Sequence, residues 1–206
     1  MKYIKTFEAK RKNIFTAIAA NDIESVKNFL NSDINSDLTF KCKDYNTESI
    51  LKNCLRNWTT GKNLSEIFEL LLDYSNEWKY NVDETTDLPI IFIAIQWNNM
   101  DAIKMLIDKG ANPNIKTINS WGTITYPIFR ASHKYNLIRL LIKLGADPNV
   151  QQKSIKTGSS NPKNNTYTFE YLYDILSKTN QKRFRVDFPD LYSDYLALIE
   201  SEEYNL

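Results

Sequence analysis

Residues Leu88–Asn114 and Tyr126–Asn149 are near-copies, and that duplication constrains the fold of this chain more than anything else in it. Each copy has a Pro (89, 127), then Ile-Phe-x-Ala (91–94, 128–131), then a second apolar run. Each closes on Gly-Ala-Asn/Asp-Pro-Asn (110–114, 145–149). Pro127 suits the first position of a helix, where its missing N–H is not needed. Ile128 and Ala131 fall on one helix face, and Ala is small enough to let a neighbouring helix approach. Leu137, Ile138, Leu140, Leu141 and Leu144 recur at helical spacing and predict a second helix with a broad apolar face. Gly145 follows where a left-handed residue stops a helix, and Pro148 keeps it from resuming. Gly110 and Pro113 do the same in the earlier copy. Two of the five glycines and four of the six prolines occupy these equivalent points, so they act as punctuation for a repeated two-helix unit.

A third copy of the tetrapeptide, Ile14-Phe15-Thr16-Ala17, precedes a turn at Asn21-Asp22 and a helix over Ile23–Leu30. Its closing turn, Asp33-Ile34-Asn35, is degenerate. The interval between Ala17 and Ala94 leaves space for one more unit. Helices over Ser49–Cys54 and Leu64–Tyr74 fill it, with Cys54 at the small position and Leu70, Leu71 and Leu72 as core. The turn between them, Asn57–Asn63, is long, and Trp58 within it reads as a local packing residue. In the last copy the second helix arrives two residues early after Ala131, which predicts a tight turn at Tyr135-Asn136.

This pattern resembles the ankyrin repeat family, whose units open on Thr-Pro-Leu-His-x-Ala and end in Gly-Ala-Asp-x-Asn. Tyr126–Ala131 matches the opening in size and polarity, except that Phe129 stands in the His position. The resemblance implies an all-α, ankyrin-type helical-repeat solenoid with long irregular fingers and an atypical C-terminal helical cap. The expected organisation is a single domain, 1–206. Its repeats cover about 13–40, 44–82 (degenerate), 85–116 and 121–151, followed by a terminal helical unit over 167–206.

The connection Ile115–Thr125 is longer than the family's short finger and carries Trp121. The polar stretch Gln151–Thr166 reads as a flexible loop. An aromatic-rich helix is expected over Tyr167–Ser177, then a basic cluster (Lys178, Lys182, Arg183, Arg185), then a last helix from Phe188-Pro189-Asp190 to Glu200. End units of such arrays need a polar outer face, so an atypical terminus is expected.

Composition narrows the function. The net charge of +1 gives no general nucleic-acid or membrane signal. Residues 1–12 carry net +4, which reads as a solvated N-terminal cap. Cys42 and Cys54 form no CxxC and have no clustered His, so neither a zinc site nor a disulfide framework is expected. No apolar signal core or membrane-length run is present in the sequence, and a cytoplasmic protein is the default. There is no phosphate-binding glycine loop, HExxH or GxSxG, and His133 is the only histidine. The expectation is therefore a protein without catalysis, metal or cofactor.

What the resemblance implies is protein binding, through a concave face built from finger tips and the exposed ends of first helices. Two and three residues after the signature Ala stand Ala19-Ala20, Gln96-Trp97 and His133-Lys134. The partner-binding candidates are Gln96, Trp97, Trp121, Tyr126, His133 and Lys134. Trp97 and Trp121 head them, because large aromatics bury much area at small entropy cost. A stoichiometric inhibitor of the immunity, antitoxin or anti-defence type, or an effector, fits such a scaffold. The rival reading is a binder of nucleic acid or an anionic surface through the basic 151–185 region, which carries net +5. It ranks lower, since no aromatic-interleaved platform accompanies the charge.

Overall fold

The computed structural model describes residues 14–31, 50–59, 63–74, 88–118, 123–155 and 167–204. The basic N-terminal segment, Asp33–Asn35, Cys42 and Trp121 lie outside the described residues, as do Lys156 and Lys163. Two units are distinguished, one from Met1–Asn81 with Pro89–Ala111 and the other from Val82–Leu88 with Asn112–Leu206.

In the first unit the helices come in pairs. Residues 14–20 (α1) precede α2 (Ile23–Leu30), α3 (Ile50–Thr59) precedes α4 (Ser65–Tyr74), and α5 (Ile90–Gln96) precedes α6 (Met100–Asp108). First helices pack on first helices, α3 on α5, while α4 lies between α2 and α6. Burial follows that arrangement. Ile90, Ile91, Phe92, Ala94 and Ile95 make α5 buried on nearly every side. The outer helix α6 buries only Ala102, Ile103 and Leu106 and turns Asp101, Lys104 and Asp108 to solvent. Each large apolar side chain taken from water contributes about 1.5–3 kcal/mol before chain entropy is charged against it. Ala94 is fully buried, as its close-approach role requires, and Cys54 matches it in the second pair. Burial in this apolar setting pushes the Cys54 thiol well above its ordinary value, which keeps it protonated.

Helix ends are closed by one device used four times. The N–H of Ala111 donates to Leu106 O (2.9 Å) and that of Gly110 to Ile107 O (2.8 Å). Ala146 and Gly145 repeat the pattern on Leu141 O and Ile142 O. Both glycines have positive φ, 97° and 91°, the left-handed position of a Schellman end. The turns inside the first and third pairs close the same way, with Asn21 and Asn98 at the left-handed position. The next residue then opens the following helix. Asp22 accepts from Ser25 N–H and Asn99 from Ala102 N–H. The Ser25 hydroxyl, which also donates to Asp22, and then the Ser25 N–H hold the Asp22 carboxyl below its ordinary value.

The second unit contains the fourth pair, α7 (Pro127–Arg130) and α8 (Tyr135–Lys143), and a four-stranded antiparallel sheet. Its strands β1 (Thr117–Ile118), β2 (Ile124–Thr125), β3 (Gln151–Ile155) and β4 (Tyr167–Tyr171) lie in sequence order. A short helix α9 (Leu172–Ile175) then leads to α10 (Lys178–Asp187) and α11 (Pro189–Tyr204). Tyr173 is the hub of this terminal region, with the rings of Phe184, Tyr192 and Tyr195 centred 5.9, 5.0 and 4.8 Å from its own. The Arg185 guanidinium lies over both Tyr173 and Tyr192. Within this unit the two closing turns are joined by Asn114. Its Nδ2 donates to Gly145 O (2.9 Å) and its Oδ1 accepts the N–H of Asp147 (2.7 Å). Asn112 and Asp147 each brace their own turn, accepting from Asn114 N–H and Asn149 N–H.

The helical repeat fold expected of the sequence is the one observed, and five local expectations are corrected. First, α3 continues through Asn57 and Trp58 rather than turning there. Asn57 Nδ2 reaches back to Asn53 O, and Trp58 packs against Phe68 with centroids 5.6 Å apart and ring planes tilted by 60°, so its packing role falls in a helix. Second, the tight turn of the fourth pair falls at Ala131–Lys134, and Tyr135 and Asn136 are already helical. The carbonyl of Lys134 already accepts the N–H of Ile138 (3.2 Å), so the helix has begun by Tyr135. Third, Gln151–Ile155 is a strand, not loop, because its backbone pairs residue by residue with β4. Fourth, 167–171 is a strand and the helix begins only at Leu172. Fifth, the basic cluster is itself the helix α10, and α11 extends past Glu200 to Tyr204.

Candidate partner-binding surface

Gln96 and Trp97 end the first helix of the third pair, in the first unit. Gln96 is exposed and Trp97 half-buried. Trp97 is the C-cap of α5, and its N–H returns to Ile93 O at 3.0 Å. Tyr126, His133 and Lys134 belong to the second unit. Tyr126 is half-buried at the N-cap of α7, its ring 6.3 Å from that of Phe129. His133 and Lys134 are exposed. Counted from the signature Ala they match Gln96 and Trp97, but their geometry differs. Lys134 is the N-cap of α8, and its N–H donates to Ala131 O at 2.7 Å. The two-residue deletion makes the turn end where the third pair is still finishing its first helix.

One surface was missed in the sequence. Strand registers place Ile118 opposite Ile124, Ile124 opposite Lys153 and Lys153 opposite Phe169. Directly opposed residues project to the same face, so these four form one row across the whole sheet. Ile118 is 46% exposed and Phe169 63% exposed. The other face is polar, with Thr117, Thr125 and a Gln152 Nε2 to Glu170 Oε2 bond of 2.9 Å. The signal was present in Tyr-Thr-Phe-Glu-Tyr, an aromatic/polar alternation of period two that reads as a half-exposed strand.

Elsewhere, an open groove of about 540 Å³ runs beside α4 and α6 in the first unit, lined in part by Trp58, Ser65, Met105 and Asp108. Its central charges, Asp101 and Lys104, are paired at 3.3 Å. Among the described residues no three His, Cys, Asp or Glu side chains are grouped to hold a metal ion. Nor, among them, is any helix long and apolar enough to cross a membrane.

A family model described as ankyrin repeats (3 copies) matches residues 14–117 and, overlapping it, 61–152. The chain belongs to the ankyrin repeat family. It is 26% identical over 145 residues to an ankyrin repeat protein of Fowlpox virus (strain NVSL), covering 70% of this chain and 19% of that one. It is 27% identical over 178 residues to an ankyrin repeat protein of Borreliella burgdorferi, covering 84% of this chain and 43% of the relative. The chain thus spans less than half the length of either curated relative. Ankyrin repeats are generally protein-interaction modules and typically non-catalytic, with specificity residing in the exposed side chains rather than in the fold.

Proposed function

We propose that this ankyrin protein is a non-catalytic scaffold that captures another protein and, in doing so, inhibits it stoichiometrically, as an immunity protein, antitoxin or anti-defence factor would. The observation that carries the reading is the row Ile118–Ile124–Lys153–Phe169 on the finger sheet, apolar but for Lys153 and with Ile118 and Phe169 exposed, since apolar side chains left to solvent in one row suit a binding site. Gln96, Trp97, Trp121, Tyr126, His133 and Lys134 are the further contact residues of the proposal. Half-buried Trp97 is suited to the task because it sets a large aromatic side chain at the end of α5. The repeats and the terminal unit together are taken as one functional domain, and the cytoplasm as its compartment.

The test is a pull-down from the source cell with wild type and Trp97→Ala/Trp121→Ala in parallel, followed by titration of the captured protein's activity. One protein retained by wild type, lost by the double variant and inhibited with an end point of one equivalent supports the proposal. Equal retention by both variants overturns the residue assignment. Capture without inhibition at saturation overturns the inhibitor role.

A further inference from the structure

In the second unit, one carboxylate fastens the start of α8 to the end of α10. The Tyr135 hydroxyl donates to Asp187 Oδ2 at 3.0 Å, and Arg139 Nε meets the same oxygen at 3.2 Å. The Arg183 guanidinium lies 5.8 Å from the centre of the Tyr135 ring. These contacts place Arg139 and Arg183 on a common edge. Lys182 precedes Arg183 about 100° around α10, and Lys143 lies one turn beyond Arg139 at the far end of α8. All four cations are exposed. Against them α8 carries no acidic residue and α10 only Asp187, whose charge already faces Arg139. On these two helices the cations therefore outnumber the carboxylates, the next acidic residues being Asp190 and Asp194 on α11.

We infer that the edge where α8 begins and α10 ends is a docking surface for an acidic segment of a protein partner, an inference that rests on the scaffold reading above. Two features of the edge suit an anionic group, and a third disfavours single-stranded nucleic acid. Guanidinium groups present a planar fork that matches a carboxylate or a phosphate bidentately. Arg139 and Arg183 are held by Asp187 and by the Tyr135 ring, so little side-chain freedom is lost when a ligand arrives. Single-stranded nucleic acid, by contrast, is gripped by stacking bases on open aromatic faces. Here Tyr135 and Phe184 are buried, and Arg183 and Arg185 lie over the rings of Tyr135, Tyr173 and Tyr192. Tyr135, Tyr173 and Tyr192 are thus each faced by an arginine of α10, and Phe188 packs against Phe184.

The experiment measures fluorescence anisotropy with two probes of equal charge at physiological ionic strength, a labelled peptide of alternating Glu and Ala and a labelled oligothymidylate. Wild-type protein is expected to bind the peptide saturably and more tightly than the oligonucleotide. Lys182→Glu/Arg183→Glu should weaken the peptide roughly tenfold or more. Lys104→Glu, on α6 of the other unit, should leave it unchanged. Thermal melting of each variant confirms that these exposed substitutions leave the fold intact. Oligothymidylate binding as tight as the peptide, absence of saturable peptide binding, or indifference to the charge reversal each overturns the inference. Capture of the cellular partner by Trp97→Ala/Trp121→Ala is scored separately. Loss of that capture, together with failure of the peptide, removes the acidic edge and leaves the scaffold reading standing.

Discussion

Asn21 and Asn98 share one backbone conformation, φ 59° at each, and each ends the first helix of its repeat. Their N–H groups return to Ile18 O and Ile95 O, both at 3.0 Å. Left-handed backbone costs an ordinary L-residue about 1–2 kcal/mol, and Asn is among the few that adopt it routinely. Asn98→Val is therefore expected to destabilise by about 1–2 kcal/mol, and Asn98→Gly to be nearly neutral. Urea midpoints check both. Equal loss from Val and from Gly would mean that the side chain, not the backbone, matters there.

The closing turn offers a sharper version of that test. A Cβ built on Gly145 meets only Pro113 Cγ at 3.9 Å, an ordinary contact, so space is not limiting. The cost of Gly145→Ala should come from φ 91° alone, about 1 kcal/mol. Gly145→Asn should cost less than Gly145→Ala. A loss that grows with side-chain volume instead would show crowding to be the cause.

Asn114→Ala removes a donor and an acceptor at once, leaving Gly145 O and Asp147 N–H to find water. About 2 kcal/mol of stability should be lost. Asn114→Asp keeps the acceptor for Asp147 and sets a carboxylate against a carbonyl, so it should fall no higher than Ala at neutral pH. Chemical denaturation of the three proteins side by side decides the matter.

Two phenols give the terminal region an alkaline limit. Burial, then a hydrogen bond to a carboxylate, raises Tyr135 (Asp187) and Tyr195 (Asp174) above the ordinary phenol value of about 10. A raised folded value means the neutral phenol is favoured in the folded state. The associated stability is whole below pH about 10 and declines as pH rises beyond it. Tyr135→Phe/Tyr195→Phe should flatten that decline in melting temperature between neutral and strongly alkaline solution. An unchanged slope would assign the alkaline loss elsewhere.

Phe169→Ala should leave the melting temperature where it is, since the ring is 63% exposed, while weakening partner capture. Ile118→Ser should behave alike. A drop in melting temperature with unaltered capture would make the row a folding element rather than a contact surface.

The repeats were legible because their signals are local and redundant. Pro127, the Ala131 contact, Gly145 and Pro148 each mark a boundary independently, and all agree. The sheet was not legible, because β3 and β4 are specified by one another across the intervening chain, and Gln151–Ile155 is too polar to suggest a strand alone. Tyr167–Tyr171 carried its own alternation, yet the aromatic residues just after it gave a competing helical pattern. Among the candidates, His133 and Lys134 are exposed, but counting from Ala131 could not reveal that a shorter turn moves them to the start of α8. The Asp187 junction joins residues far apart in the chain and left no local trace.

The link made by Asn114 has a bearing on how such an array grows. A turn's final residue supplies the two hydrogen bonds that its successor's turn needs, so the coupling is carried inside the copied segment and requires no matching change downstream. Duplicating the segment duplicates the joint with it. Asn149 holds the same place in the following copy, but no further Gly-Ala-Asp turn comes after it in the sequence. The grammar of the array stops there, and the chain turns instead to strands and a tyrosine-rich helical end. Asn149 is thus the natural splice point at which another repeat could be inserted with its connector already in place.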